Sequence, residues 1–262
     1  MALFDEGPWC TPPAEGMPPA PIRLLPEVTV LKIGGQSIMD RGRQAIFPLV
    51  DEIVANRMAF PMIIGVGGGT RSRHAYSIAM DLDMPTGILA KLGASVSRQN
   101  ARMLYMLLAP HGGMFVPNEQ FEALSLCLRA GGIPIISGMP PYEYWERPPV
   151  RGRIPESRTD VGVYLTGEVL GARAVIFVKD EDGLYTADPK KNSRAEFIDK
   201  ISVAELKRLD LQDLPLERKV LDLLECAQHV RRVQIVNGLK PGLLTRALAG
   251  EPVGTIVYAN SG

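Results

Sequence analysis

Cysteine is scarce in this chain. Cys10, Cys127 and Cys226 are the three it has, spread over 262 residues. They are too few and too scattered for a disulfide framework or a C-x-x-C metal site, so they read as small hydrophobes in a reducing compartment. Neither sign of charge dominates: 29 Lys and Arg balance 29 Asp and Glu. A neutral chain lacks the electrostatic footprint of a nucleic-acid binder, and no nucleic acid is expected as partner. It also lacks the self-repulsion that keeps chains apart, so association is expected. No apolar run approaches the ~20 residues of a membrane span. The opening MALFDEGPWC has no basic stretch followed by an apolar one. The expectation is a cytoplasmic protein with neither membrane contact nor secretory signal. Two common nucleotide fingerprints are missing as well. G-x-x-x-x-G-K-[ST] occurs nowhere, and G-x-G-x-x-G fails because its last glycine would fall at Thr70.

What is present is an alternating pattern. Residues 1–26 hold seven prolines and almost no periodicity, and read as a tail. From Val28 onward, short apolar runs alternate with stretches of helical spacing. VTVLKIG, PMIIGV, GIPIISG and RAVIFVK read as strands; RQAIFPLVDEIVAN, SRQNARMLYMLLA, EQFEALSLCLRAG and TDVGVYLTGEVLG read as helices. ISVAELKRL and ERKVLDLLECAQHV read as two further helices, and RVQIVNG, PGLLTRALAG and GTIVY close the chain. Such alternation predicts an α/β fold with a mostly parallel sheet, and nothing splits residues 27–262 into two domains.

In such sheets ligands bind beyond the carboxyl ends of the strands. Glycines fall at these ends: Gly34 and Gly35 after the first strand, Gly67, Gly68 and Gly69 after the second, Gly138 after the third. Arg71 and Arg73 follow the triplet, so bare backbone and positive charge coincide where an anion would sit. Lys32 lies inside the first apolar strand, two residues before a glycine pair. An ammonium there is costly unless it meets a partner. The run KDEDGLYTADPKK, from 179, sets Asp180, Glu181, Asp182 and Asp188 around Gly183 and Pro189. Taken alone it is either a solvated acidic turn or a ligand segment. His74, His111 and His229 have no metal-ligand spacing; His74, beside Arg73, is the candidate contact among them.

LKIGG at 31–35, GVGGG at 65–69 and KDEDGLYTADP at 179–189, in that order, resemble the amino acid kinase family. VNGLKPGLLTRALAGEPVGTIV, ending at 257, is similar to the close of its uridylate kinases. The resemblance spans about residues 27–258. It implies a three-layer sandwich, a central mostly parallel sheet flanked by helices, and ATP with Mg²⁺ as ligands. Lys32 would bridge the transferred phosphoryl group, and Asp160 would organise the lysines around it. The backbone of Gly34, Gly35, Gly67, Gly68 and Gly69 would cradle phosphates. Lys179, Asp182, Gly183, Leu184, Tyr185 and Asp188 would line the adenosine pocket.

The chain also departs from an ordinary member of that family. Arg73 keeps the position of an arginine that grips the acceptor phosphate. The stretch AKLGASVS, however, has no carboxylate where uridylate kinases hold the ribose. The segment 138–160 is long, Pro-rich and aromatic, and carries Arg147, Arg151, Arg153 and Arg158. Its SGMPPYEYWERP and IPESRTDVG are similar to a branch of the family that stores oxometalates. That likeness implies a subunit that packs molybdate or tungstate into polyoxometalate clusters, using ATP. It implies a closed shell, a homo- or hetero-hexamer that includes an α-type subunit in the second case. Arg73 and His74 would then be oxoanion contacts, and UMP phosphorylation is not expected. ALSLCLRAGGIPI, 123–135, departs from that branch in lacking a glutamate–histidine pair. Two alternatives stay open: a small-molecule phosphotransferase, and a nucleotide-binding partner subunit without turnover.

Overall fold

All five residues of β1 (Thr29–Ile33) are buried, as a strand covered on both faces requires. The computed structural model describes residues 22–140, 153–189 and 191–260. β1 runs parallel to β2 (Met62–Val66) on one side and to β5 (Ala174–Lys179) on the other. Outward from β2 lie β4 (Ile133–Ser137) and β3 (Gly113–Phe115), both parallel. Outward from β5 lie β9 (Arg232–Asn237), β10 (Thr255–Tyr258) and β8 (Lys200–Ser202). Among the described residues, only the β9–β10 pairing in this eight-stranded sheet is antiparallel. A separate hairpin pairs β6 (Leu184–Tyr185) with β7 (Phe197–Ile198).

Helices cover both faces, and the two-residue period of the strands decides which side chain meets which layer. Val30, Val175 and Phe177 pack on one face, against Val161 and Tyr164 of α5 (Thr159–Val169). The same cluster takes in Val203 and Leu206 of α6 (Val203–Leu209) and Leu221 and Leu224 of α7 (Lys219–Glu225). Leu31, Ile33, Ile176 and Val178 pack on the opposite face. They meet Leu49 and Ile53 of α1 (Arg43–Asn56), Leu104 of α3 (Thr86–Leu108) and Leu248 of α8 (Leu243–Leu248). This is the expected three-layer α/β sandwich. Among the described residues no helix is long and apolar enough to cross a membrane.

Several elements differ from the sequence reading. α2 (Gly69–Asp81) carries no apolar stripe in the sequence, because only Ser72, Tyr76 and Ala79 are buried along it. α3 begins at Thr86, not at Ser97. Gly87 and Gly93 weaken its local helical signal, yet tertiary packing overrides that. The helix expected through Val230 stops at Glu225. Beyond it, the Glu168 carboxylate accepts the N–H groups of Gln228, His229 and Val230 and holds them out of a helix. Cys127, in α4 (Ala123–Arg129), is buried and free.

Candidate functional site

A cavity of about 730 Å³ opens beyond the carboxyl ends of β1, β2 and β5. Three groups of residues build it. The floor is Lys32, Asp160 and Lys179; one wall is the two glycine turns with Arg73; the other wall is the 180–189 turn together with residues 213–217.

The floor follows from the strand period. Lys32 shares a sheet face with Val30, and Lys179 shares that same face with Val175 and Phe177, so both lysines point toward α5. Asp160 is in the first turn of α5 and meets both. Its Oδ1 is 2.6 Å from Lys32 Nζ, and Lys179 Nζ donates to Oδ1 at 3.2 Å and Oδ2 at 3.1 Å. All three residues are buried, with exposures of 5%, 3% and 8% for Lys32, Asp160 and Lys179. Burial alone would push the Asp160 carboxyl up, but the charges of Lys179 and Lys32 hold it well below the usual carboxylate range. Lys179 is pushed down to about 8, first by burial and further by the Lys32 charge, with Asp160 opposing. Two ammoniums share one carboxylate, so the floor has an excess of positive charge facing the cavity.

The glycines are demanded by packing before any ligand is considered. A Cβ on Gly35 would overlap the Gly69 nitrogen and come within 2.8 Å of the Gly67 carbonyl carbon. The two turns therefore touch through bare backbone. Gly69 has φ +73° and opens α2; a Cβ there would press on the Asp40 carboxylate, which also accepts the Thr70 N–H at 2.6 Å. The outcome is a strip of small residues beside the lysines, at a helix N-terminus, where anions are stabilised.

On the wall formed by the 180–189 turn, Gly183, Tyr185 and Asp188 line the cavity with Lys179. Asp182 and Leu184 do not. Asp182 accepts from Asn237 Nδ2 at 3.0 Å and Lys240 Nζ at 2.8 Å, which anchors the turn to the end of β9. The Lys240 hydrogen bond is the main reason its carboxyl sits below the usual value. Leu184 is fully buried in the α5-side core.

On the opposite wall, Arg73 lines the cavity and His74 does not; His74 is exposed on α2. Arg71 turns away, donating to Gln99 Oε1 and Asn100 Oδ1. Ser72 is 7% exposed and lines the cavity, and its Oγ has no hydrogen-bond partner among the described residues. The α3 contribution to this wall is Gly93, and a Cβ there would overlap the Tyr76 hydroxyl. Arg147 and Arg151 lie outside the described residues. Arg153 pairs with Glu156 at 2.8 Å, and Arg158 lines the cavity.

Glu217 has no counterpart in the sequence reading. Its carboxylate accepts the N–H groups of Arg158, Asp160 and Val161 at 3.0, 3.1 and 3.2 Å. Its own N–H donates to Asp160 Oδ2 at 3.2 Å. Burial first, and then the Asp160 charge, raise its carboxyl above the usual value. No spacing rule could have found it, because its partners lie almost sixty residues earlier. Arg41, which reaches Asp180 Oδ2 at 2.6 Å across the cavity mouth, was missed for the same reason.

A family model, the amino acid kinase family, matches residues 27–237. The chain is 57% identical to the molybdenum storage protein subunit beta of Azotobacter vinelandii over 241 residues, 92% of this chain and 89% of that one. It is 27% identical to a uridylate kinase of Hyperthermus butylicus over 204 residues, 76% of this chain and 84% of that one. Among solved structures, the uridylate kinase of Archaeoglobus fulgidus superposes with a TM-score of 0.70 at 20% identity, covering 87% of this chain and 99% of that one, a likeness of fold.

Proposed function

The chain belongs to the amino acid kinase family, and from that premise we propose that it is an ATP-using subunit for storing molybdate or tungstate. The observation that carries this reading is the acceptor wall. It offers Arg73 and an unpartnered, buried Ser72 hydroxyl, while α3 brings Gly93 rather than a carboxylate to the cavity. Losing a ribose contact of that kind is worth about 1–3 kcal/mol, enough to disfavour a nucleotide acceptor. A cation and a hydroxyl without a ribose partner suit a compact oxoanion. The 57% identity to a molybdenum storage subunit supports the same choice.

ATP would lie along Gly183, Tyr185 and Asp188, with its terminal phosphate over Lys32 and Lys179. The excess positive charge on the floor would neutralise the phosphoryl group as it departs, and the glycine backbone would orient it. Among the described residues no group of three His, Cys, Asp or Glu is arranged to hold a metal ion. Mg²⁺ would therefore arrive on the nucleotide phosphates. Hydrolysis would be coupled to condensation of the oxoanions into polyoxometalate clusters. A cavity of about 730 Å³ that must also hold ATP leaves little room for large clusters. The proposal therefore includes a closed oligomer, a hexamer of this chain alone or with an α-type subunit, enclosing space between chains.

The test is to incubate the purified protein with molybdate or tungstate, with and without ATP and Mg²⁺. Bound metal is then measured by elemental analysis and particle size by light scattering. ATP-dependent retention of many metal atoms per chain is expected, with little phosphorylation of UMP. Retention of no more than about one atom per chain, together with fast UMP phosphorylation, would favour a phosphotransferase on the same fold. ATP binding without turnover until a second chain is added would favour the silent partner subunit.

A further inference from the structure

An α-helix exposes its leading N–H groups, and a short polar side chain just before the helix usually takes them. α5 has no such cap: the residue before it is Arg158, whose side chain makes no capping bond. Its leading amides go instead to Glu217, a residue remote in sequence. The exchange is mutual, because the Glu217 N–H returns a bond to the Asp160 carboxylate. This is the logic of a capping box built between distant segments. Glu217 also ends the 213–217 segment that lines the nucleotide side of the cavity.

We infer that Glu217 is a positioning residue, which holds Asp160 between Lys32 and Lys179 and ties that triad to the nucleotide-side wall. The inference rests on the proposed role of the two lysines as phosphate contacts, though its test needs no nucleotide. Glu217 faces Asp160 and Arg158 from the start of α5 and Lys32 from β1; Arg158 Nε lies 3.7 Å from its Oε1. Lys179 faces Asp160, Lys32 and the Phe177 ring. The balance is three cations against two carboxylates. Glu217 therefore acts on Lys179 through Asp160: loosening Asp160 makes the Lys179 ammonium form less favourable.

The molecule supplies its own control. Glu168 caps the 228–230 amides in the same manner as Glu217 caps α5, but among the described residues no hydrogen bond or ion pair joins it to Lys32 or Lys179. Loss of either carboxylate should lower the melting temperature. Only loss of Glu217 should change the titration of Lys179.

The experiment is competitive acetylation of the full-length protein with acetic anhydride across pH, with the Lys179 peptide quantified by mass spectrometry. Wild-type protein is expected to show a midpoint of about 8. Glu217→Gln should move that midpoint down by about one pH unit, as Asp160, the opposite charge beside Lys179, loses its place. Glu217→Asp keeps the charge with a shorter reach and should fall between the two. Glu168→Gln should leave the midpoint in place. A Glu217→Gln profile that overlays the wild type overturns the inference, as does an equal shift in Glu168→Gln. If Glu217→Gln does not fold, the Glu217→Asp profile decides: a partial downward shift supports the assignment and an overlay removes it. Failure of wild-type protein to bind ATP would remove the proposed function and leave this test standing.

Discussion

Lys32 and Lys179 reach a single carboxylate from neighbouring strands: Lys32 Nζ is 2.6 Å from Asp160 Oδ1, and Lys179 Nζ is 3.1 Å from Oδ2. The β1–β5 register pairs Lys32 with Phe177 and Ile33 with Val178, which sets Lys179 one same-face step further along. A buried arrangement of two cations and one anion is tolerable only if the anion stays in place. It also leaves charge over for a ligand.

The first prediction follows from that imbalance. Asp160→Ala abandons two buried ammoniums and should cost about 3–5 kcal/mol, as breaking a buried pair does. Lys32→Met leaves Asp160 paired with Lys179 and should cost clearly less, while abolishing ATP turnover. Urea unfolding ranks the two variants. Equal destabilisation would mean that Asp160 does not bridge the lysines.

The second concerns pH. The folded-state value of Lys179 is lowered to about 8, so its cation is lost as pH rises through that point. An anionic ligand needs the cation, so ATP affinity should hold up to about pH 7 and fall above about pH 8. Lys179→Arg carries a charge that does not titrate in this range and should flatten the profile. Calorimetry at several pH values checks both. A wild-type affinity that rises with pH would contradict the assignment.

The third concerns the contact between the glycine turns. In Gly35→Ala the new methyl meets the backbone of Gly67 and Gly69, which cannot rotate away. Overpacking of this sort costs about 1–3 kcal/mol. ATP affinity should fall with stability, because the turns separate. Gly87→Ala, in α3 with open space around it, should keep affinity and gain up to about 1 kcal/mol. Thermal unfolding and ATP titration of the pair test the claim; a harmless Gly35→Ala would refute it.

The fourth separates cargo from nucleotide. Arg73 is on the wall opposite the 180–189 turn. A charge pair at about 4 Å and an effective dielectric near 20 gains roughly 4 kcal/mol before desolvation. Arg73→Ala should therefore reduce metal retention at least tenfold while ATP affinity changes little. His74→Ala should change neither, since His74 is exposed and away from the cavity. Elemental analysis beside ATP calorimetry reads both, and the reverse pattern would exchange the roles of the walls.

Local chemistry already determined much of this protein. The alternation of apolar runs and helical spacing is a property of neighbouring residues, and it specified an α/β fold with a mostly parallel sheet. Lysine inside an apolar strand and glycine at strand ends are likewise local signals, and they pointed to Lys32 and to the turns at 34–35 and 67–69. Tertiary structure decided what local signals cannot carry. α2 was hidden because its core contacts are few, and α3 because a glycine that weakens a helix in isolation is needed where Tyr76 packs. The anchoring of Asp182 to Asn237 and Lys240, and the exposure of His74, depend on which way each side chain leaves its backbone. Above all, Glu217 meets α5 only after the chain has folded back on itself. A hydrogen bond between residues so far apart in sequence leaves no periodicity to read, because sheet order and helix packing, not neighbouring residues, bring its two ends together.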